Sequence, residues 1–242
     1  EVYMFQKVRP VRTFEVVSEQ IQDAIFSGKL SPGEKLPAER ELIKEFDISR
    51  RTLREALRVL ELKGLIEIKT GTKGGAVVRV PNTEQMSDSL ATLIRYEKAS
   101  LLDLTEFRMD LEGAVAGRAA EKVTKADVQR LNRLLAEAEN LLSSDHFNWK
   151  AFMDVDRRTH QAVATIARNP IHEFVLHSIH ENIHPYYENY LPNNRLVSQQ
   201  NYDDLVQLVT AIAGKKRDEA ERIAREHIQH GWDYMESQKD SM

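Results

Sequence analysis

Apolar residues recur along the chain at two periods, and the switches between them mark its organisation. From Thr13, the residues Phe14, Val17, Ile21, Ala24 and Ile25 share one face of a helix running to Gly28. A loop punctuated by Pro32, Gly33 and Pro37 follows. Leu42, Ile43 and Phe46 stripe a short second helix opening at Pro37, where a missing N–H costs nothing. Asp47-Ile48-Ser49 reads as a turn, with Ser49 as N-cap of a third helix. That helix keeps Leu53, Ala56, Leu57, Val59 and Leu60 inward and closes at Gly64. Then the period falls to two: LIEIKT and AVVRV alternate around the glycine-rich GTKGG, predicting a two-stranded hairpin. After Pro81-Asn82-Thr83 the helical period returns over 84–97, 101–121, 124–144, 148–168, 170–190 and 199–238, the last able to bend near Gly214. The expected fold class is mainly α: an N-terminal winged helix-turn-helix over residues 1–80, then a C-terminal all-α helical bundle of six or seven helices over 81–242.

Charge divides the chain at the same place. Of 34 basic and 38 acidic residues, 15 and 12 lie in residues 1–80, leaving 19 and 26 in the remainder. A mildly basic head thus precedes an acidic body, and all eight histidines lie beyond residue 140. The outer face of the third helix carries Arg50, Arg51, Thr52, Arg54 and Arg58, and the hairpin carries Lys69, Lys73 and Arg79. An arginine-rich helix face alone is more often simply solvated. Set in three helices and a wing, it offers forked donors to phosphates and guanine edges.

At 41% hydrophobic and 30% charged, the chain has ample material for cores. No apolar run approaches the ~18 residues of a membrane span, and Lys7, Arg9, Arg12 and Glu15 interrupt any secretory leader. The absence of cysteine excludes disulfides and thiolate metal sites and fits a cytoplasmic location.

Residues 12–80, and above all SGKLSPGEKLPAERELIKEFDISRRTLREALRVLELKGLIEIKTGTKGGAVV, resemble the N-terminal domain of the GntR family of bacterial transcription regulators. The resemblance implies that Arg40, Arg50 and Arg54 contact DNA and that Thr52 contacts a phosphate or base. Arg51 stands where relatives often have a small or polar residue, implying a different preferred base sequence. Thr70-Gly71, with Lys73 nearby, holds the wing-tip place of a His-Gly pair in some relatives.

Three phrases of the helical half, EFRMDLEGAVAGRAA, DRRTHQAVATIARNP and DEAERIAREHI, resemble the FCD-type ligand-binding domain of the FadR subfamily. Asp156 and His160 lie at i and i+4, on one helix face, where a carboxylate and an imidazole can grip one divalent metal. By resemblance His227 supplies the last ligand and a further one should fall 22 residues earlier, at Leu205, which cannot ligate. That leaves Asp156, His160 and His227 as an incomplete set suited to Zn²⁺, Ni²⁺ or Mn²⁺, or as direct receptors of an anion. His177, His180 and His184 share a face, and one of them is a substitute ligand to look for. Arg108 is expected either to clamp an effector carboxylate bidentately or to pair with Glu112 one turn on. Asn182, Tyr186, Tyr187 and Tyr190 border the pocket or pack the core.

The resemblance implies a ligand-responsive transcriptional regulator, most simply a repressor. It would bind a pseudo-palindromic operator as a homodimer and respond to a small carboxylate metabolite. Two alternatives stand beside it: a metal-dependent enzyme built on Asp156, His160 and His227, and an effector-independent DNA-binding protein.

Overall fold

The computed structural model describes residues 12–71, 74–79, 84–96, 99–191 and 193–239. The chain divides into two compact units, Glu1–Gln85 and Met86–Met242. That division falls a few residues beyond the expected boundary at 80/81. The reason is α4 (Glu84–Arg95), whose Leu90 and Ile94 pack into a cluster of the second unit.

The first unit contains α1 (Thr13–Phe26), α2 (Glu39–Phe46) and α3 (Arg50–Leu62), then β1 (Ile66–Lys69) and β2 (Gly75–Val78). Val17, Ile21, Leu42, Leu53, Ala56, Leu57, Leu60, Ile66 and Val78 are buried together as its core. The strands pair antiparallel, with Ile66 opposite Val78 and Lys69 opposite Gly75. Helix α2 begins at Glu39, two residues later than the proline suggested. Its predecessors are committed to the sheet: Leu36 N–H donates to Ala76 C=O at 2.9 Å, and Lys35 bridges Val77. The loop thereby covers one edge of β2. Asp47 makes the turn into α3 in the left-handed region, φ 50°, and Ser49 Oγ accepts from Thr52 N–H at 3.1 Å as N-cap.

In the second unit α4 is followed by α5 (Leu101–Lys122), α6 (Lys125–Ser143), α7 (Trp149–Ile166), α8 (Pro170–Tyr190), α9 (Arg195–Ala213) and α10 (Arg217–Lys239). The segment expected as one bent helix over 199–238 is two helices. Gly214 caps α9 and Lys215 turns the chain at φ 56°. Local chemistry sets most of the starts. Ser100 with Asp103, and Thr124 with Asp127, form reciprocal capping boxes on α5 and α6. Asn148, Asn169 and Asn194 cap α7, α8 and α9. Helix α10 packs against α5, and two glycines on α5 make that approach close. A Cβ on Gly113 would stand 2.9 Å from Arg225 Nε. Leu104 and Val115 are both buried within the unit. No described helix is long and apolar enough to cross a membrane.

Candidate functional site

On the first unit, α3 turns its apolar stripe inward and leaves Arg50, Arg51 and Arg54 exposed, while Arg40 is exposed on α2. One carboxylate organises two of these: Glu39 Oε2 lies 3.2 Å from Arg50 Nε and its Oε1 3.4 Å from Arg54 Nε. The Thr52 hydroxyl lies 2.8 Å from Ser49 Oγ at the helix start. Thr70 and Gly71 are exposed at the end of β1, with Gly71 at φ 99°. Lys73 lies outside the described residues. Four guanidinium groups and a hydroxyl thus stand on α2 and the first turns of α3.

In the second unit, five helices bring polar side chains into one largely buried cluster, with His230 at its exposed edge. Asp156 and His160 come from α7, Arg108 and Glu112 from α5, His180 and Tyr187 from α8, Asn201 and Asp204 from α9, and His227 and His230 from α10. His160 is at its centre. Its Nδ1 lies 2.5 Å from Glu112 Oε2, while its Nε2 lies 3.1 Å from His227 Nε2 and 3.7 Å from Asp156 Oδ1. His227 Nε2 is 3.6 Å from the same Asp156 oxygen. Asn201 Nδ2 donates to that oxygen at 3.1 Å and fixes it.

The three mutual distances test the fit to a metal. Ligand atoms at ~2.0–2.1 Å from a tetrahedral Zn²⁺ stand roughly 3.3 Å apart, against 3.1, 3.6 and 3.7 Å here. Glu112 accepts from His160 Nδ1, which aims Nε2 at the other two ligands. This is the carboxylate–histidine arrangement that orients metal-binding imidazoles. Leu205, at the place the resemblance gives a further ligand, is 1% exposed. The donor set therefore fits a divalent cation held by three protein atoms. A second triad, Glu112, His160 and His180, also converges. In it Glu112 is already engaged by Arg108 Nε at 2.7 Å, so the Asp156 triad fits a metal better.

Charges at the heart of this cluster are paired. Burial would lower the pKa of Arg108, but Glu112 and Tyr187 outweigh it and keep the guanidinium charged. Burial would likewise raise Glu112 and Asp156, yet Arg108 and His160 hold the first, and His160 and His227 the second, well below the usual carboxylate range. His160 is pushed up to about 10 because Glu112 and Asp156 overcome its desolvation. His180, 3.3 Å from Glu112, is lowered by burial, with Arg108 and His160 adding to that effect. Within the cluster two buried cations, Arg108 and His160, face two of its buried carboxylates, Glu112 and Asp156, while a third, Asp204, lies 2.8 Å from His230 Nδ1.

The candidates from sequence divide accordingly. Asp156, His160 and His227 meet. Arg108 does not present a free fork: it is 3% exposed, binds Glu112, donates to Tyr187 Oη and lies 5.8 Å over that ring. Of the α8 candidates His177, His180 and His184, His180 turns inward, while His177 is half-exposed beside Gln161 at 3.0 Å. Asn182 ties α8 to the backbone of Ser87 on α4; the side chains of Tyr186 and Tyr190 lie outside the described residues. Sequence reading missed Asn201 and Asp204. Their signal was a polar pair at i and i+3 on the stripe that also holds the buried Leu205 and Leu208. Beside the triad lies a cavity of about 40 Å³, walled by Trp149, Phe152, Met153 and Leu191 and reached by Asn201, Asp204, His227 and His230.

A winged helix-turn-helix unit and a helical unit with a buried His/Asp centre together define a two-part regulator. Residues 13–78 match the bacterial regulatory proteins of the gntR family, and residues 103–230 match the FCD domain. The chain belongs to the GntR family and carries an FCD domain. It is 29% identical over 227 residues to the Uxu operon regulator of Haemophilus influenzae, covering 90% of this chain and 80% of that protein. It is 28% identical over 208 residues to the transcriptional regulator LutR of Bacillus subtilis, covering 84% and 92%. A solved Streptococcus agalactiae GntR structure shares the fold, with TM-score 0.69 at 22% identity over 90% of this chain and 98% of that one.

Proposed function

We propose that this transcriptional regulator acts in the cytoplasm as a repressor. It binds a pseudo-palindromic operator as a homodimer, one winged head per half-site, and is modulated by a small carboxylate metabolite. The observation that carries the effector reading is the convergence of His160 Nε2, His227 Nε2 and Asp156 Oδ1 beside a cavity inside an otherwise apolar bundle. Asp156, His160 and His227 would hold a divalent cation such as Zn²⁺, Ni²⁺ or Mn²⁺, which supplies positive charge and open coordination positions for an acid. Leu205 leaves one more position open than a fourth protein ligand would.

Electrostatics favours an anion there. Exchanging the proton on His160 Nε2 for a divalent cation makes the centre one charge more positive than the metal-free set. Arg108 takes a different part from the carboxylate clamp considered from sequence: it neutralises and aims Glu112, which aims His160. Arg40, Arg50, Arg51, Thr52 and Arg54 contact DNA from the head, with Thr70, Gly71 and Lys73 contributing from the wing. The alternative of a metal-dependent enzyme gains no support from family membership, since the relatives are named as transcription regulators.

The test is operator selection from a random duplex library, then fluorescence anisotropy of the selected duplex with Zn²⁺-loaded full-length protein and a panel of short carboxylic acids. A selected inverted repeat whose binding weakens at least tenfold with one of the acids supports the proposal. Selection of no defined sequence, or affinity indifferent to every acid and to the metal, contradicts it.

A further inference from the structure

The cavity walled by Trp149, Phe152 and Met153 is small, about 40 Å³. At roughly 10–15 Å³ per water-sized occupant it holds about three waters, so any larger molecule enters only when a wall moves. The first turn of α9 contributes Val197 and Ser198 to that wall, and apolar burial does little to hold its start. Arg195 and Leu196 are exposed, Leu196 to 78%. Burial begins at Ser198, and further along the helix Leu205, Leu208, Val209 and Ile212 are each 2% exposed or less. Asn201 adds its hydrogen bond to Asp156 at 3.1 Å. The body of α9 is thus fixed by packing, and its start is not.

One side chain clasps that start to the rest of the bundle. Arg195 Nη2 donates to the carbonyl of Ser144, the C-cap of α6, and the guanidinium carbon lies 5.6 Å over the Phe147 ring. Phe147 in turn packs on Phe152, ring centroids 6.1 Å apart and planes at 57°. Phe152 is itself a wall of the cavity and is 0% exposed. The arginine therefore reaches from the turn that carries one wall to the segment that supports another. We propose that Arg195 is a latch and that the first turn of α9 is the gate it holds over the cavity. Releasing the guanidinium lets Val197 and Ser198 swing outward and the cavity enlarge, while the buried body of α9 stays in place. One carbonyl hydrogen bond and one half-exposed cation–π contact are weak enough to open and close without unfolding the bundle. The gate governs access to the cavity and does not depend on the reading of Asp156, His160 and His227.

The chain's two tryptophans supply the test. Trp149 walls the cavity, and Trp232 packs in a separate cluster with Leu101, Ile179 and Met235. Acrylamide quenching of the full-length protein is measured in Trp232→Phe and Trp149→Phe backgrounds, which leave one reporter each. Arg195→Met removes the charge and the donors at an exposed position. The Stern–Volmer constant of Trp149 is expected to rise about twofold or more in Arg195→Met, with that of Trp232 unchanged. Arg195→Lys, which keeps the charge and loses the flat guanidinium, should fall between. An unchanged Trp149 constant would overturn the latch, and so would an equal rise at both tryptophans, the mark of a generally loosened bundle. Hydrogen exchange with both tryptophans in place is the parallel readout. Amides of 196–200 should exchange faster in Arg195→Met and those of 204–212 at the wild-type rate; wild-type exchange in both segments would overturn the gate.

Discussion

The two units hold their arginines in opposite ways. On the head, Arg50 and Arg54 have side chains 69% and 61% exposed and share one half-exposed carboxylate, Glu39. In the body, Arg108 is 3% exposed and locked between Glu112 and Tyr187. A surface ion pair contributes little to stability, about 0–1 kcal/mol, so the head's arginines remain available to a partner. A buried charge stripped of its partner costs several kcal/mol, so the body's arginine is bound into the fold. The same residue type is solvent-exposed in one unit and locked into the fold in the other.

Substitutions should therefore separate the units cleanly, and the largest effect is expected in the body. Arg108→Ala leaves Glu112 buried beside His160 and should destabilise the helical unit by about 3–5 kcal/mol. Thermal denaturation checks this, and a melting temperature within a degree or two of wild type would erase the contrast. Arg54→Ala should leave melting unchanged within about 0.5 kcal/mol, yet weaken operator binding by about 1–3 kcal/mol, roughly ten- to hundredfold. Unchanged affinity in a gel-shift assay would remove α3 from the DNA interface.

Titration sharpens the same contrast. In metal-free protein the folded His160 titrates at about 10 against an ordinary value of 6.5. Its stabilisation is complete below 6.5 and is lost as pH rises from there to about 10. The depressed Glu112 and Asp156 work in the opposite sense, losing theirs as pH falls below the ordinary values of 4.5 and 3.8. Metal-free melting temperature should therefore decline on both sides of pH 4.5–6.5. A profile flat between pH 6.5 and 10 would argue against the buried imidazolium. The smallest effect is expected at Glu39→Gln, which releases Arg50 and Arg54 from their common partner and removes a charge that repels phosphate. Affinity for non-operator DNA should rise two- to fivefold or so, with discrimination falling and melting unchanged. A drop in non-operator binding would show that Glu39 is needed to position the forks.

The contrast also explains what could be read from the chain. Leu53, Leu57 and Leu60 at helical spacing fixed which face of α3 is buried, and so which arginines are exposed, without any tertiary information. Only the non-periodic part of the head escaped. Residues 33–36 pair along β2, which no local pattern announces, and that pairing delays α2 to Glu39. In the body, Asp156 and His160 were legible because they sit one turn apart. Their partners were not: the Asn201 contact to Asp156 spans 45 residues of sequence and the His160–His227 contact spans 67. Arg108 was ambiguous for a physical reason. An arginine one turn before a glutamate is read equally well as a clamp or a pair, and only burial on α5 against α8 decides in favour of the pair.

The claim that joins these features is that Asp156, His160 and His227 form a metal-dependent effector centre. The measurement that tests it most directly is metal content after equilibrium dialysis against Zn²⁺, Ni²⁺ or Mn²⁺, for the wild-type chain and for Asp156→Asn and His227→Ala. The expected result is close to one metal per chain in the wild type, falling well below stoichiometry in both variants while they remain folded by circular dichroism. No bound metal in the wild type, or equal content in the variants, would contradict it.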